Sequence, residues 1–268
     1  MQTVGRHHAR LSTVLDCGNL VIRPRATARV LEELKQLGPF FALELYVDER
    51  AMDQWRPLRS LIAEEALQRR SEQMTRYLST RAGIGFSQLQ PRVASSVMHL
   101  GLVARLISPW IGLAAMGHLV RVRFTDLRWI PEPGSNFALS ASPGLFERNG
   151  LGSREEWAQE LVRELIGPLT NAVPGSPAVL WGNVSSALHG CVSAVEYTRP
   201  SLAPALRDVA DHVLRAIPGG PACSGVLGTD DFRRSSCCLI YRVGGAASRS
   251  VCGDCVLRDL RDLRDRRS

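Results

Sequence analysis

Ser153-Arg154-Glu155-Glu156-Trp157, leading on to Leu161 and Leu165, opens the first of three helical segments with no strand between them. Ser153 and Glu156 have capping-box spacing, in which hydroxyl and carboxylate satisfy free amides at a helix start. Trp157, Leu161 and Leu165 recur at fourfold spacing and lay one apolar stripe along the helix. Ser176-Pro177 starts the second segment, past Trp181 and Leu188 towards Val195, because proline suits the first helical turn. Leu202 to Ile217 is the third, stopped by Pro218-Gly219-Gly220.

Towards the N-terminus the pattern is again mostly helical. Ala26 to Leu37 places Val30, Leu31, Leu34 and Leu37 on one face before the stop at Gly38-Pro39. Phe40 to Val47 reads as a short strand, and Arg56 to Leu78 as a helix with charges on its outer side. Pro91 opens an apolar helix to about Leu106, with Val93, Val97, Leu100 and Ala104 facing inward. The most apolar stretch, Leu106 to Val120, follows Arg105 and is interrupted by Pro109 and His118. It is shorter than the roughly 20 residues a membrane helix needs, so a buried helix is expected. His118 to Ile130 alternates as a strand would, closed by Pro131-Glu132-Pro133-Gly134, with Phe137 to Ser142 as its partner. Strand–helix alternation of the dinucleotide-binding kind is missing, and Gly83-Ile84-Gly85 has no third glycine to make a nucleotide fingerprint. The expected fold is α+β, mainly helical with a small antiparallel sheet, plus a small C-terminal module.

Composition narrows the context. A chain of 268 residues can bury a substantial core as one large domain, or as one domain with an appendage. Its 45% hydrophobic and 22% charged residues are those of a soluble globular protein. Met1 to Leu20 carries Arg6, His7, His8, Arg10 and Asp16 without a continuous apolar core, so no secretory signal is read and a cytoplasmic location is expected. The net charge of +7 comes almost wholly from arginine, with Lys35 the only lysine. That surplus suits an acidic protein, an anionic ligand or weak association with a membrane surface. No helix-turn-helix or aromatic-plus-basic stripe stands out, so nucleic acid is not the expected partner.

Four of the seven cysteines crowd the C-terminus as Cys237-Cys238, a gap of thirteen residues, and Cys252-Gly253-Asp254-Cys255. An odd number of cysteines in a reducing compartment argues against a disulfide framework and leaves thiolates available for metal. Two residues between Cys252 and Cys255 let both sulfurs face one metal, and Gly253 relieves crowding at the bend. The adjacent pair is harder to use, because neighbouring side chains of a strand point to opposite faces. Structural zinc sites use two spaced pairs, whereas a two-iron cluster does not need all four ligands on one atom. The chemistry therefore favours an iron–sulfur cluster, with zinc open, and with two of the cysteines as buried small hydrophobes a third reading. The segment Leu239 to Val243 is expected to be strand-like and Gly244 to Ser248 a turn.

Arg233-Arg234-Ser235-Ser236-Cys237-Cys238-Leu239-Ile240-Tyr241-Arg242 followed by Cys252-Gly253-Asp254-Cys255 resembles the C-terminal signature of the FhuF-type ferric-siderophore reductases. Leu180-Trp181-Gly182-Asn183 is also similar to that family, and the strong match covers about the last forty residues. Over Met1 to Val179 the likeness is one of layout, shared more remotely with part of the aerobactin-type siderophore synthetases. The family's pattern has ten residues between the cysteine pairs, against thirteen here. The longer loop costs only about 0.2 kcal/mol more to close, so the ligand set is not put in doubt.

The resemblance implies a cytosolic ferric-siderophore reductase with a [2Fe–2S] cluster on Cys237, Cys238, Cys252 and Cys255. Its substrate would be a ferric siderophore of the hydroxamate type, and its electrons would come from a flavodoxin, ferredoxin or flavin reductase. The domain division expected is 1–217 as siderophore-binding scaffold, 218–230 as linker and 231–268 as iron–sulfur module. Trp181 and Asn183 are candidate cavity residues, and Arg233, Arg234, Arg242 and Arg249 are candidates for raising the cluster's potential. The alternative is a non-catalytic siderophore- or partner-binding protein whose four cysteines hold a structural zinc; an iron–sulfur redox sensor is a third reading. Cys17, Cys191 and Cys223 are isolated, and His99 and His189 read as core or pocket-edge histidines. No Ser-His-Asp or paired-carboxylate arrangement stands out, and Leu257 to Asp265 reads as a charged, frayed tail.

Overall fold

The computed structural model describes residues 24–46, 54–131, 137–146, 152–243 and 251–258. Its centre is a single long helix. The helices are α1 (Pro24–Lys35), α2 (Glu64–Ala82), α3 (Pro91–Ala115), α4 (Arg154–Leu161), α5 (Gly167–Ala172), α6 (Pro177–Thr198) and α7 (Ala203–Ala216). The mainly helical α+β architecture read from the sequence is the one observed.

Helix α3 packs against α2, α6 and α7 and is buried almost all round. A helix enclosed on several sides has no single inward stripe. This corrects the expected facing: Val93 is buried, but Val97, Leu100 and Ala104 are only half-buried, while Met98, Leu102, Val103 and Leu106 are in the core. The expected end near Leu106 is also absent, because α3 continues through Pro109. Ser108 Oγ donates to Ala104 O at 2.6 Å just before the proline, where the ladder loses an amide. By length and composition α3 is apolar enough to cross a membrane, yet 78% of its most apolar stretch is buried against the rest of the chain.

Buried Arg105 ties α3 to the small sheet. Its Nε donates to Phe137 O at 2.9 Å, Nη1 to Phe40 O at 3.1 Å and Nη2 to Ala42 O at 2.7 Å. Burial lowers its pKa to about 10, so it stays charged at neutral pH. The sheet consists of β1 (Glu44–Leu45), β2 (Arg56–Pro57), β3 (Leu127–Trp129) and β4 (Leu139–Ala141), in the order β1-β4-β3-β2. The expected pairing of β3 with β4 is antiparallel, but β1 lies parallel to β4, so the sheet is mixed. The long crossover through α2 and α3 between them permits that direction.

Three element boundaries differ from the sequence reading. Residues 56–62 form β2 and a short 3-10 turn, and the helix begins at Glu64. The strand expected from His118 shrinks to Leu127–Trp129, preceded by a 3-10 turn whose Asp126 carboxylate accepts from Arg123 N at 2.9 Å. Of the strand expected over residues 40–47, Glu44–Leu45 forms and Val47 lies outside the described residues.

The capping box at Ser153 and Glu156 is present in both directions. Between α4 and α5 the rod widens into a π-turn, Val162–Ile166, just before Pro168, which lacks the amide a regular turn would use. Residues 218–230 lie on the helices: Arg207 Nε donates to Leu227 O at 2.9 Å, and Gly228 N donates to His189 Nδ1 at 3.1 Å. Their strand β5 (Cys223–Ser224) pairs antiparallel with β6 (Arg233–Arg234), joining the expected linker to the expected module.

Candidate metal centre

Helix α6 is the platform on which the cysteine segment is laid. Gly182 permits the approach, since a Cβ there would stand 2.1 Å from Ser236 Oγ. Ser236 Oγ donates to Ala178 O at 2.8 Å and Ser235 N to Ala222 O at 2.8 Å, fixing the chain one residue before Cys237. On the far side, Leu239, Ile240 and Val243 pack on a small apolar cluster of Leu78, Leu89, Val93 and Ala94.

The strand expected from Leu239 to Val243 does not form. Leu239 adopts φ 69°, the one positive φ outside glycine among the described residues, and a 3-10 turn over Ile240–Arg242 follows. That left-handed kink, unfavourable for a branched residue, turns the chain immediately after the adjacent pair. Leu239 N then donates to Cys237 Sγ at 3.3 Å, and Leu257 N donates to Cys255 Sγ at 3.4 Å.

Three of the four thiols are in contact through Cys238, and the fourth lies close by. Cys238 Sγ lies 3.3 Å from Cys252 Sγ and also hydrogen-bonds with Cys237, while Cys255 lies near enough for its charge to act on Cys237. Hydrogen bonds from the Cys237 and Cys252 thiols, then Arg234, hold Cys238 far below the usual thiol range. Those two donors are pushed up correspondingly, as sharing one negative charge requires. Cys238 and Cys255 are buried, whereas Cys237 and Cys252 are half-exposed. Among the described residues no three of His, Cys, Asp or Glu stand close enough together to hold a metal ion. The 3.3 Å separation is shorter than the roughly 3.8 Å between two sulfurs held at about 2.3 Å by one tetrahedral metal, zinc or iron alike, so it does not choose between them.

Arg234 is the buried cation of the site, only 1% exposed. Its Nη2 donates to Cys252 Sγ at 2.8 Å and lies 3.4 Å from Asp254 Oδ1, and its Nη1 donates to Asn183 Oδ1 at 3.0 Å. Burial alone would lower its pKa, but attraction to Cys238, Asp254 and Cys252 more than offsets that and raises it. Its Nε–H is buried with no partner, an orphaned donor that an anionic group at the cysteines would satisfy. Asp254 is braced by Ser186, whose hydroxyl donates to its second carboxylate oxygen. Four thiols, two of them buried, with a fixed cation and amides aimed at two of the sulfurs, fit an iron–sulfur group in donor chemistry.

From Asn183 a polar chain runs into the core. Asn183 Nδ2 donates to Ser96 O at 2.9 Å and reaches His99 Nδ1 at 3.5 Å. With that nitrogen accepting, His99 Nε2–H faces Thr170 Oγ1 at 3.3 Å, and Thr170 donates to Ile166 O at the π-turn. Burial lowers the His99 pKa to about 3, so the ring is neutral.

Asn183 is fully buried and braces Arg234, and Trp181 packs against the main core. Arg233 donates to the carbonyls of Asp230 and Phe232, and exposed Arg242 donates to Gln90 Oε1 at 3.0 Å. Cys191 is inert core, its thiol pushed up to about 11 by burial, and half-buried Cys223 is shifted the same way. His189 stacks on Phe232 with centroids 4.4 Å apart. Arg249, Cys17, His7, His8 and the turn 244–248 lie outside the described residues. Ser96, Thr170, Ser186 and Asp254 were missed by sequence reasoning; only Asp254, between two cysteines, carried a local signal.

Among known proteins, no family model matches the chain and no curated protein matches it.

Proposed function

We propose that this protein is a cytosolic ferric-siderophore reductase. The observation that carries the reading is the contact of Cys237, Cys238 and Cys252, with Cys255 close by, beside the buried guanidinium of Arg234. Those four residues would hold a [2Fe–2S] cluster, which when bound supplies single electrons. The resemblance of this segment to FhuF-type reductases supplies the substrate class, a ferric hydroxamate chelate.

The chain's own residues do three things. Arg234 places a permanent positive charge against the thiolates, and positive charge nearby favours the more negative, reduced form of a redox centre. Leu239 N and Leu257 N, bonded to Cys237 and Cys255 sulfurs, disperse negative charge in the same direction. Half-exposed Cys237 and Cys252 leave one edge of the site at the surface, where an electron carrier can approach. Hard oxygen donors hold ferric iron tightly and ferrous iron weakly, so one electron transferred to the substrate suffices to release it. The donor is a reduced flavodoxin, ferredoxin or flavin reductase, and an acidic one suits the net charge of +7.

Anaerobic purification followed by iron, zinc and acid-labile sulfide analysis is the test. Iron and sulfide at two each per chain, bleaching on dithionite addition, and ferrous iron released from a ferric trihydroxamate are expected. A colourless protein with one zinc per chain would instead establish the structural-zinc alternative. A coloured protein that reduces no ferric chelate would establish the sensor.

A further inference from the structure

Away from the cysteines, a cavity of about 1090 Å³ lies between α2 and the first half of α3. Ser71 and Thr75 line it from α2 and Ser95 and Met98 from α3, at the three- and four-residue spacings of facing helical surfaces. Phe86, half-exposed, and Leu89 bound one end, and Ala172 and Pro174 belong to its lining from the α5 side. We propose that this trough is the chelate-binding site and that it selects chelates that are neutral or positively charged. The inference rests on the reductase reading and adds to it the place and the charge of the substrate.

Size, position and charge carry it. The volume is at the upper end of small-molecule sites, as a chelate wrapped around a metal ion requires. Leu89 is shared: it borders the cavity and belongs to the apolar cluster on which Leu239, Ile240 and Val243 pack, directly after Cys237 and Cys238. Bound ligand would thus be separated from the cysteine segment by one layer of side chains. The lining carries two carboxylates, Glu64 and Glu72, against one guanidinium, Arg76, and is otherwise neutral. Three hydroxamates cancel the charge of a trivalent metal, and a pendant ammonium makes the complex cationic. Three catecholates leave it strongly anionic, which these carboxylates oppose.

Gallium(III) replaces iron(III) in such chelates without accepting an electron, so binding can be read apart from reduction. Isothermal titration of the purified protein with gallium desferrioxamine B, a cationic trihydroxamate, is expected to show binding at least tenfold tighter than gallium enterobactin. Ser71→Trp, which fills the trough, should weaken the first chelate at least tenfold with the circular dichroism spectrum unchanged. Glu64→Lys with Glu72→Lys should narrow the preference severalfold from the surface, without touching the core. Unchanged affinities in both variants, or no binding by a protein that does reduce ferric trihydroxamates, would overturn the site and leave the reductase reading standing. Binding lost as expected in a protein without iron or sulfide would uphold the site and sink the reductase reading.

Discussion

Arg234 concentrates the chemistry of the centre in one side chain. It is 1% exposed, hydrogen-bonded to Cys252 Sγ, to Asn183 and across to Asp254. A buried cation so placed stabilises whichever state of the site is more negative. Arg234→Gln should therefore lower the midpoint potential in an anaerobic spectroelectrochemical titration, by about 59 mV for each 1.4 kcal/mol of lost attraction. Arg234→Lys should recover most of the shift, with sulfide content confirming that both variants are loaded. His99 offers a second test. Its folded pKa of about 3 lies below the ordinary 6.5, so the unfolded chain binds a proton that the folded one refuses between those values. The neutral ring's contribution is full above pH 6.5 and is lost as pH falls towards 3. Urea midpoints at pH 7 and pH 5 should show a fall of about 2 kcal/mol that is absent in His99→Gln.

At the scale of elements, α6 and the kink at Leu239 do the positioning. Where the cysteine segment lies on α6, Ser236 Oγ takes the space that a side chain at residue 182 would need and from there reaches Ala178 O. Gly182→Leu should push that segment off the helix. The expected result is a metal-to-protein ratio reduced severalfold at unchanged far-ultraviolet circular dichroism, measured on anaerobically purified material. Leu239 bends the chain where a strand was expected, and a 3-10 turn over Ile240–Arg242 carries it onto the apolar cluster below. In α3 the same theme recurs. The sequence marks an apolar helix, but its buried face is set by neighbours on several sides and by Arg105 reaching three carbonyls of the sheet region.

Over the whole molecule, the large apolar cluster runs from Leu31 to Ile217 and takes in Leu227 and Phe232. Cys238 and Cys255 are buried outside it, in a segment tied down by a two-residue strand pair and hydrogen bonds. Stability of the helical body and order of the cysteine segment should therefore separate. Stripping metal with a strong chelator should leave helical circular dichroism intact, while limited trypsin digestion at residues 233–258 accelerates at least tenfold. Equal resistance before and after stripping would show that the segment is held by its own packing.

The sequence alone determined whatever depends on neighbours along the chain. The capping box at Ser153, the proline starts of α3 and α6, the pairing of β3 with β4 and the cysteine quartet were all legible, because each is written in a few adjacent residues. Tertiary structure decided what depends on distant partners. It set Asn183 against Arg234, joined Asp254 to Ser186, and made the sheet mixed. It also continued α3 through Pro109. Burial and long-range hydrogen bonds override local propensity, since an unsatisfied polar group in the core costs more than an unfavourable turn.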